Sequence, residues 1–94
     1  MNAPHDTVRH DPTAQRFELG TGEETGLVDY QREGARVVFT HTFVPPALRG
    51  KGVAEQLARA ALTWARAEKL MVVPQCSYIA RFIERHHEYS DLVS

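Results

Sequence analysis

The side chains in this chain best suited to chemistry are Arg49, Lys51, His41 and Cys76. Arg49 and Lys51 alternate with Gly50 and Gly52 in the run Val44-Pro45-Pro46-Ala47-Leu48-Arg49-Gly50-Lys51-Gly52-Val53-Ala54. Cations among glycines just ahead of a helix suit an anion such as a phosphate. The first N–H groups of a helix have no intrahelical acceptor, and the helix dipole is positive there. Glycine lets that backbone come close to the anion, so bulk at Gly52 or Ala54 would hold it away. Against this stands the ordinary reading of a strand-to-helix loop with solvated cations. His41 lies upstream of the loop. Histidine is the residue type that exchanges protons near neutral pH and can act as a general base, although a strand histidine often only satisfies a neighbour. Cys76 lies downstream and is the only cysteine. A free cysteine is commonly a small buried hydrophobe, and it can also serve as a nucleophile that carries an acyl group. The pair His86-His87 invites a metal reading, but adjacent histidines point in different directions on a helix and no Cys/His partner stands at ligand spacing. Charges favourable to a helix C-terminus account for them better, and no metal is expected.

These residues need elements to hold them. Residues 7–10 read as a short edge strand and Asp11-Pro12 as a turn. Residues 15–19 alternate, with Phe17 and Leu19 on one face. Residues 26–32 do the same with Val28 and Tyr30, after a turn over residues 20–24. Residues 36–44 form the longest strand, rich in Val, Phe and Thr. Short connections between these runs predict an antiparallel meander. Pro45-Pro46 ends the last of them. A helix follows over residues 53–69, with Val53, Leu57, Ala61, Trp64 and Ala65 at helical spacing. Residues 70–73 are wholly apolar, as in a strand buried on both faces, and Pro74 ends that run. Strand, helix, strand is long enough for a right-handed parallel crossover. Ser77 caps a last helix over residues 78–86, with Ile79, Phe82 and Ile83 inward. The fold class expected is mixed α+β: antiparallel N-terminal strands, then a β-α-β unit and a C-terminal helix.

The chain has 94 residues, 43% of them apolar, which suits one domain over residues 1–94 with a modest core and a loose segment at about 1–6. A formal net charge of −1 argues against a general binder of nucleic acid or membrane surface. No run approaches the ~20 apolar residues of a membrane span. One cysteine cannot form an internal disulfide, and no signal pattern opens the chain, so a cytoplasmic location is expected.

Arg49-Gly50-Lys51-Gly52-Val53-Ala54 resembles the Arg/Gln-x-x-Gly-x-Gly/Ala signature of the GCN5-related N-acetyltransferases. The likeness extends to the small YjdJ-like group of that superfamily through His41-Thr42, Val44-Pro45, Pro74-x-Cys76, Tyr78, His86-His87-Glu88-Tyr89 and Asp91-Leu92-Val93. It runs from about Phe17 to Val93. The resemblance implies a minimal version of the family fold in which two parallel strands splay apart. The pyrophosphate of acetyl-CoA would lie on Arg49, Gly50, Lys51, Gly52, Val53 and Ala54. Its pantetheine arm would lie in the gap beside Thr42, Phe43 and Val44, with Cys76 and Tyr78 opposite. His41 is the candidate base. Cys76 would either take the acetyl group as a thioester, activated by His41, or sit beside the thioester and shape the site. Larger family members often use a tyrosine in the last helix as general acid; Glu84 stands at that position here, which leaves Tyr78 or Cys76 as substitutes. Many also place a carboxylate two residues after the strand histidine, where this chain has Phe43. The expected activity is transfer of acetyl from acetyl-CoA to an amine, with the acceptor unidentified. The rivals are a non-catalytic CoA or acyl-CoA binding module and, beyond that, an interaction domain that has lost its ligand.

Overall fold

The computed structural model describes residues 7–93, and the loose segment expected over residues 1–6 lies outside the described residues. The elements in chain order are strands β1 (Arg9–Asp11), β2 (Arg16–Thr21), β3 (Glu24–Glu33) and β4 (Arg36–Phe43), helix α1 (Val53–Ala67), strand β5 (Met71–Pro74) and helix α2 (Ser77–Arg85). Short 3-10 helices occupy Pro46–Leu48 and His87–Leu92. The sheet runs β1-β2-β3-β4-β5. Its first three pairings are antiparallel and β4–β5 is parallel, as the alternation and connection lengths predict. The architecture is mixed α+β.

Strand alternation puts Phe17, Leu19, Val28, Tyr30, Val37 and Phe39 on one face, all buried. Val53, Leu57, Ala61 and Ala65 of α1 and Ile79 and Phe82 of α2 complete the same core. Both helices therefore cover one face of the sheet. They are tied to each other across the surface: the Arg59 guanidinium lies 5.5 Å from the Phe82 ring centre. Tyr89 and Leu92 of the second 3-10 helix are also buried in this core, which the polar look of the C-terminal segment does not predict. The cap of α2 differs from the expectation as well. Cys76 is its N-cap residue, without a side-chain cap bond, and Ser77 is its first helical residue.

One irregularity opens the far end of β4. Asp29 pairs with His41 and Tyr30 pairs with Phe39, so Thr40 is an extra residue in the strand. The Thr40 hydroxyl donates to the Asp29 carbonyl at 3.3 Å and holds this bulge. A bulge bends its strand and raises the local twist. The parallel partner stops at the same level: Phe39–Pro74 is the last β4–β5 pair. A final link joins them, Cys76 N–H to the Phe39 carbonyl at 2.8 Å. Beyond it β5 turns into α2, and Thr40 to Phe43 run on without a strand partner on that side.

Candidate functional site

The loop after β4 is built to leave donors free. Pro45 and Pro46 end the strand, and Leu48 and Arg49 N–H groups bond back to the Pro45 and Pro46 carbonyls at 2.9 and 3.2 Å. Gly50 and Gly52 then take left-handed conformations, with φ of 78° and 74°. Residues with a Cβ adopt this region at a cost of roughly 1–2 kcal/mol. A Cβ built on either glycine would meet nothing within 4 Å, so the space above the loop is open. Gly52 is the N-cap of α1, and the first helical hydrogen bond runs from Gln56 N–H to the Gly52 carbonyl at 3.1 Å. Among the described residues, the backbone N–H groups of residues 50–55 have no protein acceptor. They converge at the positive end of a helix of 15 residues. Arg49 donates from Nε to the Val44 carbonyl at 3.1 Å, which fixes the stem of its side chain and leaves the two terminal nitrogens for another acceptor. Lys51 is exposed.

These groups border a cavity of about 270 Å³ lined by Val44, Leu48, Arg49, Gly52, Ala54 and Tyr78, among others. Tyr78 brings α2 to the loop. Burial pushes its phenol above its ordinary pKa, Glu55 pushes the same way and Arg85 opposes them. The hydroxyl therefore stays protonated at neutral pH.

The gap between β4 and β5 holds the remaining candidates. Thr42 pairs with Val28, a core residue, and so faces the helices. The Cys76 thiol donates to its hydroxyl at 3.3 Å. His41 pairs with Asp29 and points to the uncovered face of the sheet, where it is exposed. Phe43 is on that face too and is 44% exposed. The structure thus joins Cys76 to Thr42 and leaves His41 on the other side of β4. Activation of Cys76 by His41 is not an arrangement that this geometry provides; no hydrogen bond joins them among the described residues. Val53 is buried beneath the loop and Ala54 is half-buried, so it is their backbone N–H groups, not their side chains, that face the loop. Glu84 is exposed. His86 caps α2: its Nδ1 meets the Phe82 carbonyl at 2.9 Å, the helix-end role read from the sequence.

Sequence reasoning does not find the Thr40 bulge, the Thr42–Cys76 pair, or the contribution of α2 beyond Tyr78. A second cavity of about 300 Å³ adjoins the first and is lined by Glu55, Tyr78, Arg81, Phe82, Arg85 and His86. The i, i+4 spacing of Arg81 and Arg85 beside Tyr78 is the available signal.

Known proteins share this pattern. The family model described as GCN5-related N-acetyl-transferase matches residues 16–92. The chain is 35% identical over 82 residues to Protein NATD1 of Bos taurus, covering 84% of this chain and 73% of that protein. It is 31% identical over 91 residues to Protein NATD1 of Danio rerio, covering 92% and 83%. Among solved structures, a GCN5-like putative N-acetyltransferase from Staphylococcus aureus, determined by NMR, superimposes with a TM-score of 0.78, covering 98% of this chain and 91% of that one. At 22% identity, that likeness is one of fold.

Proposed function

The chain belongs to the GCN5-related N-acetyltransferase family, and from that premise we propose that it transfers the acetyl group of acetyl-CoA to an amine. The observation that carries this reading is the row of acceptor-free N–H groups at residues 50–55, opening beside the strand gap. A pyrophosphate supplies acceptor oxygens for such a row, with Arg49 and Lys51 completing the charge. Pantetheine is an extended chain with amide groups, suited to the partnerless edge of β4 from Thr40 to Phe43. Its thioester would then end near Thr42 and Cys76.

In this reading an amine gives up a proton to His41 or to water, and its nitrogen attacks the thioester carbonyl. A C–N bond forms, the C–S bond breaks, and the CoA thiolate takes a proton from Tyr78 or Cys76. A backbone N–H at Phe43 or Val44 would meet the developing oxyanion. His41 suits its role because it faces the uncovered side of the sheet, from which an acceptor can approach without crossing the coenzyme. Cys76, bonded to Thr42, suits shaping the thiol end better than carrying the acetyl group.

Two features favour the second reading, a binding module without turnover: Phe43 and Glu84 stand where many relatives carry a base and an acid. One experiment separates the two. Purified protein is incubated with acetyl-CoA and a panel of lysine peptides, N-terminal peptides and polyamines, and free CoA is followed. Acceptor-dependent release of CoA supports the enzyme. Stabilisation of the fold by acetyl-CoA, about 2.7 kcal/mol at 100 times Kd, with no CoA released for any acceptor, supports the module. Absence of both effects rejects both.

A further inference from the structure

The uncovered face of the sheet carries a side chain that the proposed reaction does not yet use. Asp29 of β3 pairs directly with His41 of β4. Residues opposite each other in an antiparallel pair project to the same face, with Cβ atoms about 5 Å apart. Two contacts hold Asp29 in place. The Thr40 hydroxyl donates to its backbone carbonyl at 3.3 Å, across the bulge. The Arg16 Nε–H donates to its carboxylate Oδ1 at 2.7 Å. Among the described residues the second oxygen, Oδ2, has no hydrogen-bond donor, and no hydrogen bond joins Asp29 to His41. Arg16 is shared between two carboxylates, since another of its nitrogens lies 3.8 Å from Glu18 Oε2. The Asp29 side chain is 29% exposed, so its charge acts in a medium less polar than bulk water. The next cross-strand pair on this face is Leu27 opposite Phe43. A held carboxylate and an exposed imidazole thus stand side by side, with apolar surface next to them.

We propose that Asp29 binds the acceptor: its carboxylate holds a primary alkylammonium ion against His41, and Leu27 and Phe43 take the alkyl stem. The inference rests on the transfer reading above and adds to it the residue that selects the acceptor. The physical reason lies in protonation. A lysine-like amine, with a pKa of about 10.4, arrives as a cation at neutral pH and has no lone pair with which to attack. A carboxylate binds that cation with a charge-assisted hydrogen bond, and a neutral imidazole is the group beside it that can take a proton. The ammonium has three N–H donors, so one can bond Asp29 Oδ2 while another faces the His41 ring. One proton passes to the ring, the electron pair of that N–H bond stays on the amine nitrogen, and Asp29 neither gains nor loses a proton. Acceptors without a positive charge gain nothing from Asp29.

The test is steady-state release of CoA by the intact chain, with the lysine peptides, N-terminal peptides and polyamines named above as probes. It compares the native protein with Asp29→Asn and Arg16→Gln, and acetyl-CoA affinity and the ligand-free melting temperature are measured for each. Asp29→Asn keeps the shape and removes the charge. It should raise the KM for the amine roughly tenfold, as expected for a lost hydrogen bond between charged groups, with kcat and acetyl-CoA affinity close to native. Arg16→Gln breaks the same ion pair and leaves the carboxylate, so its KM should not rise. Both variants lose a partly exposed ion pair and should melt alike. An unchanged KM in Asp29→Asn overturns the proposal. So does a fall in kcat at unchanged KM, which would make Asp29 a support for His41 and not a binding group. So does an equal rise of KM in both variants, which would trace the effect to the ion pair. If the native protein releases no CoA with any amine, the transfer reading itself has failed and this inference falls with it.

Discussion

The two ends of α1 are made of the same backbone and are finished in opposite ways. At the C-terminal end the carbonyls of Trp64, Ala65 and Arg66 are taken up by the turn that follows. Leu70 N–H bonds the Ala65 carbonyl at 2.9 Å and Lys69 N–H bonds the Arg66 carbonyl at 3.1 Å, the paired closure in which a left-handed residue turns the chain back on the helix. Lys69 provides that residue, with φ of 58°. Beside it Trp64 packs on Tyr30 at 4.8 Å and edge-on to His10 at 5.0 Å, while His10 stacks on Phe17 at 4.1 Å. Arg32 bonds Glu68, and Arg66 bonds Asp91. At the N-terminal end the left-handed residues are glycines, the N–H groups of residues 50–55 are free of protein acceptors among the described residues, and nearby cations lack carboxylates. The contrast separates two roles in this fold. Groups are satisfied at the closed end, which gathers stability, and left without protein partners at the open end, which is where the proposed coenzyme would bind.

The largest test of that division is at the closed end. Phe17→Ala removes a buried ring from the aromatic cluster and should cost about 3–5 kcal/mol of stability in a urea titration. Affinity of the folded protein for CoA should not change. If affinity falls in parallel, the two ends are coupled and the division is wrong.

Next comes the open end. Gly52→Glu puts charge and bulk into the space above the loop, and should weaken CoA binding by at least a hundredfold, about 2.7 kcal/mol. The positive φ adds a smaller stability cost of roughly 1–2 kcal/mol. Titration calorimetry at a temperature where the variant is folded separates the two effects.

A smaller effect should run the other way. Lys69→Gly relieves the left-handed strain at the closed end and should raise stability by roughly 0.5–1 kcal/mol, the strain being partly offset by the greater freedom of glycine in the unfolded chain. The same substitution lies at the far end of α1 from the glycine loop, so an altered CoA affinity would count against the picture.

The smallest effect concerns pH. Burial lowers the pKa of His10 below its ordinary 6.5, against the opposing pull of Asp11 and Glu68. A depressed folded pKa means that the unfolded chain binds the proton more readily. The contribution of His10 is therefore complete above pH 6.5 and is lost as pH falls from there through the lower folded value. The ring is hydrogen-bonded through Nε2 to the Tyr30 hydroxyl at 2.6 Å. The melting temperature should drop slightly between pH 7.5 and pH 5.5 (the values chosen to bracket the ordinary histidine pKa of about 6.5), and the His10→Phe variant should lose that slope.

Much of the fold is legible in the residue pattern. The strand alternation of Phe17 and Leu19, and of Val28 and Tyr30, carries the meander because one face is buried and a period of two cannot hide that. The helical spacing of Val53, Leu57, Ala61 and Ala65 carries α1. Gly50 and Gly52 announce the loop, since only their backbone freedom explains two glycines flanking a lysine before a helix. The Thr40 bulge is not legible: Thr-His-Thr continues the strand pattern, and an extra residue is defined only by what lies opposite it. His10 reads as edge-strand polarity, because its partners Phe17, Tyr30 and Trp64 come from three distant parts of the chain. The pairing of Cys76 with Thr42 and not with His41 depends on which face of a bulged strand each side chain takes, and spacing alone does not carry that. Arg81 and Arg85 look like ordinary solvated helix charges in sequence, and their place on the second cavity is set only by how α2 packs.

The central claim is that the free N–H groups opening α1 hold the coenzyme's pyrophosphate, and backbone amide NMR during a titration with acetyl-CoA tests it most directly. The expected result is that the amide signals of residues 50–55 move most and saturate together, with smaller changes along residues 40–43 and at Tyr78, and none around His10 and Trp64. Saturable binding that leaves the signals of residues 50–55 in place would contradict it.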